Sequence, residues 1–190
     1  MQKGKNMRHP ALLILSAAAF VLALVAAPVV STAQPAPTAT MVPNAKPDFS
    51  SMMFLTGTWN CTQTLRGKPR PDTSTTTVGM DGMWMVSQDT APPFDQYRTW
   101  AINGTSYMTY DATTKQWVQV GVDSGGGYGT STSPGWQGNT ITWTTKGLDG
   151  SSGTDVITKN SDTQTTDASS ATDAQGHTTN TTITCTKASS

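Results

Sequence analysis

The sequence predicts an all-β fold, a closed up-and-down antiparallel barrel of about ten strands whose last strand pairs with its first. Three observations predict it. Thr, Val, Trp and Tyr recur in short runs broken by Gly, Asn and Asp, and no stretch after residue 48 keeps a helical period. All twelve acidic residues are Asp, which suits turns and disfavours long helices. Finally, the run Phe54-Leu55-Thr56-Gly57-Thr58-Trp59-Asn60-Cys61 near the start of the folded part has a counterpart in Thr182-Ile183-Thr184-Cys185-Thr186-Lys187 near its end.

Side chains alternate faces along a strand, so Leu55, Trp59, Cys61 and Leu65 share one face, and Ile183, Cys185 and Lys187 share another. If Cys61 stands opposite Cys185 in an antiparallel pair, Trp59 stands opposite Lys187. That register sets a cation beside an indole, a contact worth about 0.5–2 kcal/mol. The alternative is two unrelated thiols and a solvated lysine. A Cys61–Cys185 crosslink would close a long loop and stabilise by at most about 4–5 kcal/mol through chain entropy.

Ahead of the barrel, Lys3, Lys5 and Arg8 precede an apolar run from Ala11 to Val30, followed by Ser31-Thr32-Ala33. This pattern predicts a secretory signal over residues 1–33, with an uncleaved anchor as the alternative. Pro28 and the small-residue flank favour cleavage, and no Cys follows that could carry a lipid. The exported chain would be periplasmic or extracellular, without membrane attachment, and an oxidising compartment makes the disulfide the default. Cleavage leaves nine basic against twelve acidic residues, a balance of −3. No basic patch remains to track a phosphate backbone, so nucleic acid is excluded as a partner. Residues 34–47 hold Pro35, Pro37, Pro43 and Pro47 among Ala, Thr and Val and read as a disordered linker. Residues 48–190 form one domain.

Within the domain the pattern places strands after the opening one at residues 73–78, 82–88, 96–102, 106–110, 116–123, 127–133, 140–145 and 154–158. A weak strand follows near 163–168, and the closing strand starts at His177. Asn103-Gly104, Gly138-Asn139 and Asp149-Gly150 read as hairpin turns. Asp111 can accept from backbone N–H groups of the residues after it, making Tyr110-Asp111 a hairpin corner.

Leu55-Thr56-Gly57-Thr58-Trp59, Gly82-Met83-Trp84-Met85-Val86, and Tyr110-Asp111 with Lys115-Gln116-Trp117-Val118 and Val122-Asp123-Ser124 are, in that order, similar to a bacterial family of secreted lipocalin-like proteins known as domain of unknown function family 1579. Gly57 and Trp59 on the first strand with basic Lys187 on the last also resemble the seam of lipocalin and calycin barrels. The chain departs from the family's pattern in Thr109 before Tyr-Asp, in Lys187 where Arg is usual, and in a C-terminal third rich in Thr and Ser. The resemblance implies a fold and a compartment, and no activity.

For function, the catalytic inventory is thin. The cleaved chain keeps one His, and no His, Cys or Glu cluster stands at metal-ligand spacing, so an enzyme is not expected and no cofactor is assigned. Barrels of the nitrobindin type share Gly-x-Trp and use a late His on haem iron, which would make His177 the ligand. The bland alternative is a solvated histidine in the turn Gln175-Gly176-His177-Thr178. Trp84, Trp100, Tyr110, Trp117 and Trp143 are the candidates to line a lumen for a small lipophilic or aromatic ligand. The other reading is that they fill the core and the protein acts as an extracellular interaction or structural module. Parity separates Trp84, Val86 and Gln88 from Met83, Met85 and Ser87 without choosing which set faces inward.

Overall fold

A computed structural model describes residues 45–65, 67–94 and 99–189. The expected signal segment, all but the last three residues of the linker, and the first three residues of the expected strand at 96–102 lie outside the described residues; residues 99–101 of that expected strand are not strand, and Ile102 opens the next one. Among those described, the chain runs through a short 3-10 helix, Ser50–Leu55, and then eleven strands. They are β1 (Gly57–Leu65), β2 (Lys68–Gly79), β3 (Trp84–Ala91), β4 (Ile102–Asp111), β5 (Gln116–Asp123), β6 (Tyr128–Ser133), β7 (Trp136–Gln137), β8 (Thr140–Gly147), β9 (Ser152–Ser161), β10 (Gln164–Thr172) and β11 (Thr178–Lys187).

Neighbours in sequence pair antiparallel, β1 pairs with β11, and β6 pairs with β8, with β7 a two-residue strand against β8 alone. Ten strands therefore close a ring with no free edge, a lipocalin-like up-and-down barrel.

The seam has the register expected from the two cysteines: Cys61 faces Cys185, joined by a disulfide, and Trp59 faces Lys187. Lys187 Nζ lies 5.5 Å from the centre of the Trp59 ring and donates to the Phe54 carbonyl at 3.0 Å. The Trp59 indole N–H donates to the Leu55 carbonyl at 2.9 Å. Gly57 makes this possible. Its φ of +98° is open to glycine, and a Cβ there would stand 3.2 Å from Lys187 Cε.

Strand parity then sorts each side chain. Cys61 and Trp59 point inward, and the ladder carries that assignment to Met85, Met108 and Trp117 on one side and to Thr165, Ile157, Ile141 and Trp143 on the other. At the end where β1 begins, these residues form an apolar core closed by the 3-10 helix. Met52 is fully buried and accepts from the Trp136 indole N–H through sulfur at 3.2 Å, and Phe49 packs on Trp117 with ring centres 5.6 Å apart. Both ends of the domain leave here: Ala188 N–H donates to the Thr58 carbonyl at 2.8 Å. The opposite end carries the turns β5–β6, β8–β9 and β10–β11.

Three expectations need correcting. The opening strand starts at Gly57: Phe54 and Leu55 belong to the 3-10 helix, whose first turn is held by Asp48 accepting from Ser50 N–H at 2.9 Å. Asn103-Gly104 is not a turn but the start of β4, paired with Thr90 and Asp89. A Cβ at Gly104 would meet Asp89 Cβ and the Val122 carbonyl oxygen only at an ordinary contact distance of 3.7 Å, so the strand conformation rather than a lack of space places this glycine. Gly82 and Met83 precede β3 rather than opening it, because Met80–Gly82 forms a 3-10 turn after β2. The Asp111 corner is as expected, with Oδ1 accepting from Thr113 N–H at 2.8 Å and Oδ2 from the Thr114 hydroxyl at 2.7 Å. Gly138-Asn139 and Asp149-Gly150 are turns.

Candidate functional site

The lumen above the apolar core is open. A cavity of about 320 Å³ lies between β1–β5 and β8–β11. Its apolar floor is Leu55, Trp59, Met108, Trp143 and Ile157, and the disulfide borders it. Its walls are polar: Ser74, Thr76, Ser87, Ser106 and Gln119, with Asp72, Asp89 and Asp167 among them. A second recess of about 330 Å³ shares Asp89, Ser106 and Gln119 and continues to the mouth, where Gly104, Gly121, Gly129 and Gly147 leave bare backbone on four adjacent strands. The inner faces of β4, β5, β6 and β8 thus narrow to backbone at the mouth and carry large side chains at the floor.

The wall is built by strand alternation. On β2, Asp72, Ser74 and Thr76 share the inward face; on β3, Ser87 and Asp89; on β10, Thr165, Asp167 and Ser169. Hydroxyls satisfy one another across the ladder: Thr76 with Ser87 at 2.7 Å and Ser131 with Thr145 at 2.8 Å. The Thr145 hydroxyl also donates to Asp155 Oδ2 at 3.4 Å.

The carboxylates are less well placed. Asp167 is flanked across the ladder by Ile157 and Ile183, neither of which offers a side-chain donor, and its Oδ1 is buried without a hydrogen bond. Burial, with the charge of Asp155 adding to it, pushes the Asp167 carboxyl up to about 6. Burial also raises Asp89, and a hydrogen bond to Ser74 partly offsets it. On the same inward face of β2, Arg70 donates to Gln63 Oε1 at 3.3 Å. Lys159 lies lower, 4.5 Å from the Phe54 ring centre and 2.6 Å from Asp162, and does not line the cavity.

The aromatic candidates separate. Trp143 lines the cavity and is 6% exposed. Trp117 is buried in the core between Phe49 and Tyr110, and Tyr110 packs edge-on against it at 5.3 Å with part of its ring exposed. Trp84 is on the outer face, edge-on to Tyr107, because Met85 takes the inward position. Trp100 is 56% exposed in the segment between β3 and β4. His177 closes the β10–β11 turn: its side chain is 80% exposed, its N–H and Nδ1 meet the two Asp173 oxygens at 2.8 and 3.0 Å, and it lines neither recess. An iron ligand has to aim a free nitrogen into a cavity, and this ring does not fit that role.

The four inward carboxylates went unrecognised at the sequence level, although a signal existed. Asp72, Asp89 and Asp167 each have a Ser or Thr two residues away on the same strand face, and Asp72 shares the ladder position of Cys61. Among the described residues no group of three or more His, Cys, Asp or Glu is arranged to hold a metal ion.

No family model matches the chain, and no curated protein matches it. Solved structures similar to it include EF1p2_mFAP2b bound to DFHBI, at 16% identity over 73% of this chain and 97% of that one, with a TM-score of 0.35. Another is a redesigned beta barrel, mFAP1, bound to DFHBI, at 18% identity over 72% and 98%, with a TM-score of 0.32. At such values the likeness adds nothing to the fold described above.

Proposed function

We propose that this protein is an exported, non-catalytic barrel that holds a small lipophilic or aromatic molecule in its lumen. The observation that carries the reading is the cavity of about 320 Å³ above a floor of Trp59, Trp143, Met108 and Ile157. That volume is at the lower end of ordinary small-molecule sites, and an apolar floor under a few polar groups is their usual composition. Export is supported by the Cys61–Cys185 disulfide, which suits an oxidising compartment, together with the signal-like residues 1–33. Membership of domain of unknown function family 1579 is proposed on the ordered motifs around Trp59, Trp84 and Tyr110.

Native mass spectrometry with an absorbance scan, on protein purified from its own compartment, tests the reading. A discrete extra mass, released on unfolding, is the expected result. A clean apo mass, with no uptake of small aromatic probes by calorimetry, overturns it in favour of a filled interaction module. A Soret band lost in His177→Ala would overturn it in favour of haem.

A further inference from the structure

Resting on the ligand-binding reading above, we propose that the lumen selects a cation: a protonated amine or amidine on a compact apolar or aromatic body, with its charged head at the Asp167 wall and its body on Trp59 and Trp143.

The charge of the cavity gives the first reason. Asp72, Asp89 and Asp167 line it, and Asp155 stands across the ladder from the lining residue Trp143. Among the inward cations, Arg70 stands two residues from Asp72 on β2 and donates to Gln63. Lys159 is committed below the cavity to Asp162 and the Phe54 ring and Lys187 to the Phe54 carbonyl and the Trp59 ring, so the negative charge of the wall rests on Asp89 and Asp167. An anionic ligand would meet like charge in a partly desolvated space, and a cation would meet opposite charge.

The second reason is a buried acceptor. Asp167 Oδ1 is buried and has no hydrogen-bond partner, and the ladder neighbours of Asp167 are isoleucines. Buried polar atoms are nearly always satisfied, and an ionised one left alone costs more than a neutral one. Oδ1 is shut off from the lumen as the side chain stands, and a rotation of the carboxyl would let an N–H donor arriving with a ligand supply the missing bond. The third reason is the floor: Trp59, Trp143, Met108 and Ile157 line it, an apolar base that favours an apolar or aromatic body over a strongly polar one.

Calorimetry on the oxidised full chain at pH 7.5 tests this with three probes of one shape: 2-naphthylmethylamine, 2-naphthalenemethanol and 2-naphthoate. The amine is expected to bind about tenfold tighter than the alcohol, on the scale of one hydrogen bond to a charged group, and the carboxylate weakest. Asp167→Asn is expected to bring the ratio of amine to alcohol affinity from about tenfold towards one; Asp89→Asn provides a second variant on the same wall. Equal binding of amine and alcohol, or a preference that survives both substitutions, overturns the cation while leaving the ligand-binding barrel in place. Failure of all three probes to bind overturns both.

Discussion

Asp167→Asn should make this protein more stable at neutral pH. The folded carboxyl is raised from 3.8 to about 6 by burial, with Asp155 adding to it. Between those two values the native state binds more protons than the unfolded chain, so this group's contribution to stability falls as pH rises from about 4 to 6, and the full cost persists above. A shift of that size corresponds to an upper limit of about 3 kcal/mol. Solvent reaching the lumen reduces it, and we expect about 1–2 kcal/mol. Asparagine keeps the shape and drops the charge, so the variant should gain that amount at pH 7.5 and little or nothing at pH 4. The carboxylates held below their usual range by turn hydrogen bonds, Asp48, Asp111, Asp149 and Asp173, together with Asp162 beside Lys159, lose stability in the acid direction. They do so equally in both proteins and cancel in the comparison. Urea unfolding followed by tryptophan fluorescence, with the disulfide intact, reads the difference at each pH. A variant no more stable than the parent at pH 7.5, or one with the same gain at both pH values, would show that the Asp167 carboxylate carries no burial cost.

Three further outcomes concern the seam. Replacing both cysteines by alanine removes a crosslink between residues 124 apart and should lower stability to urea by up to about 4–5 kcal/mol; a loss under about 1 kcal/mol would mean the strand pairing alone holds the ring. Gly57→Ala forces a side chain to a φ of +98° and against Lys187, and a cost of about 1–3 kcal/mol is expected in the same assay, with no effect counting against the close approach. Lys187→Met keeps the stem against Trp59 and loses both the bond to the Phe54 carbonyl and the ring contact. It should cost about 1.5–3 kcal/mol in thermal unfolding, and a variant as stable as the parent would show the cation to be idle.

The seam was legible in the sequence because two cysteines fix parity and register together, and everything that follows from them, Trp59 opposite Lys187 included, comes with that register. The lumen was not legible. Residues 83–88 carry large apolar side chains on both faces, since Trp84 covers the outside with Tyr107 as Met85 fills the inside, and alternation alone cannot choose between them. The 3-10 helix was missed for a different reason: six residues are too few to show a period, and Phe54-Leu55 look equally like the start of a strand. At Asn103-Gly104 the turn preference of the dipeptide lost to the ladder, where the glycine stands across from Asp89. The acidic wall contradicts local preference outright. Asp is a poor strand former, so twelve of them point to turns, yet Asp72, Asp89, Asp155 and Asp167 stand inside strands. Residues kept against their own propensity, with no local gain in stability, are where a selected function is to be sought.

The exit of both chain ends through the plugged end has a practical meaning for orientation. The described residues nearest the two termini, Lys46 beside Gly82 and Ala188 on the Thr58 carbonyl, sit at the pole of the barrel opposite the mouth. A label introduced at either position therefore stands clear of the route into the lumen.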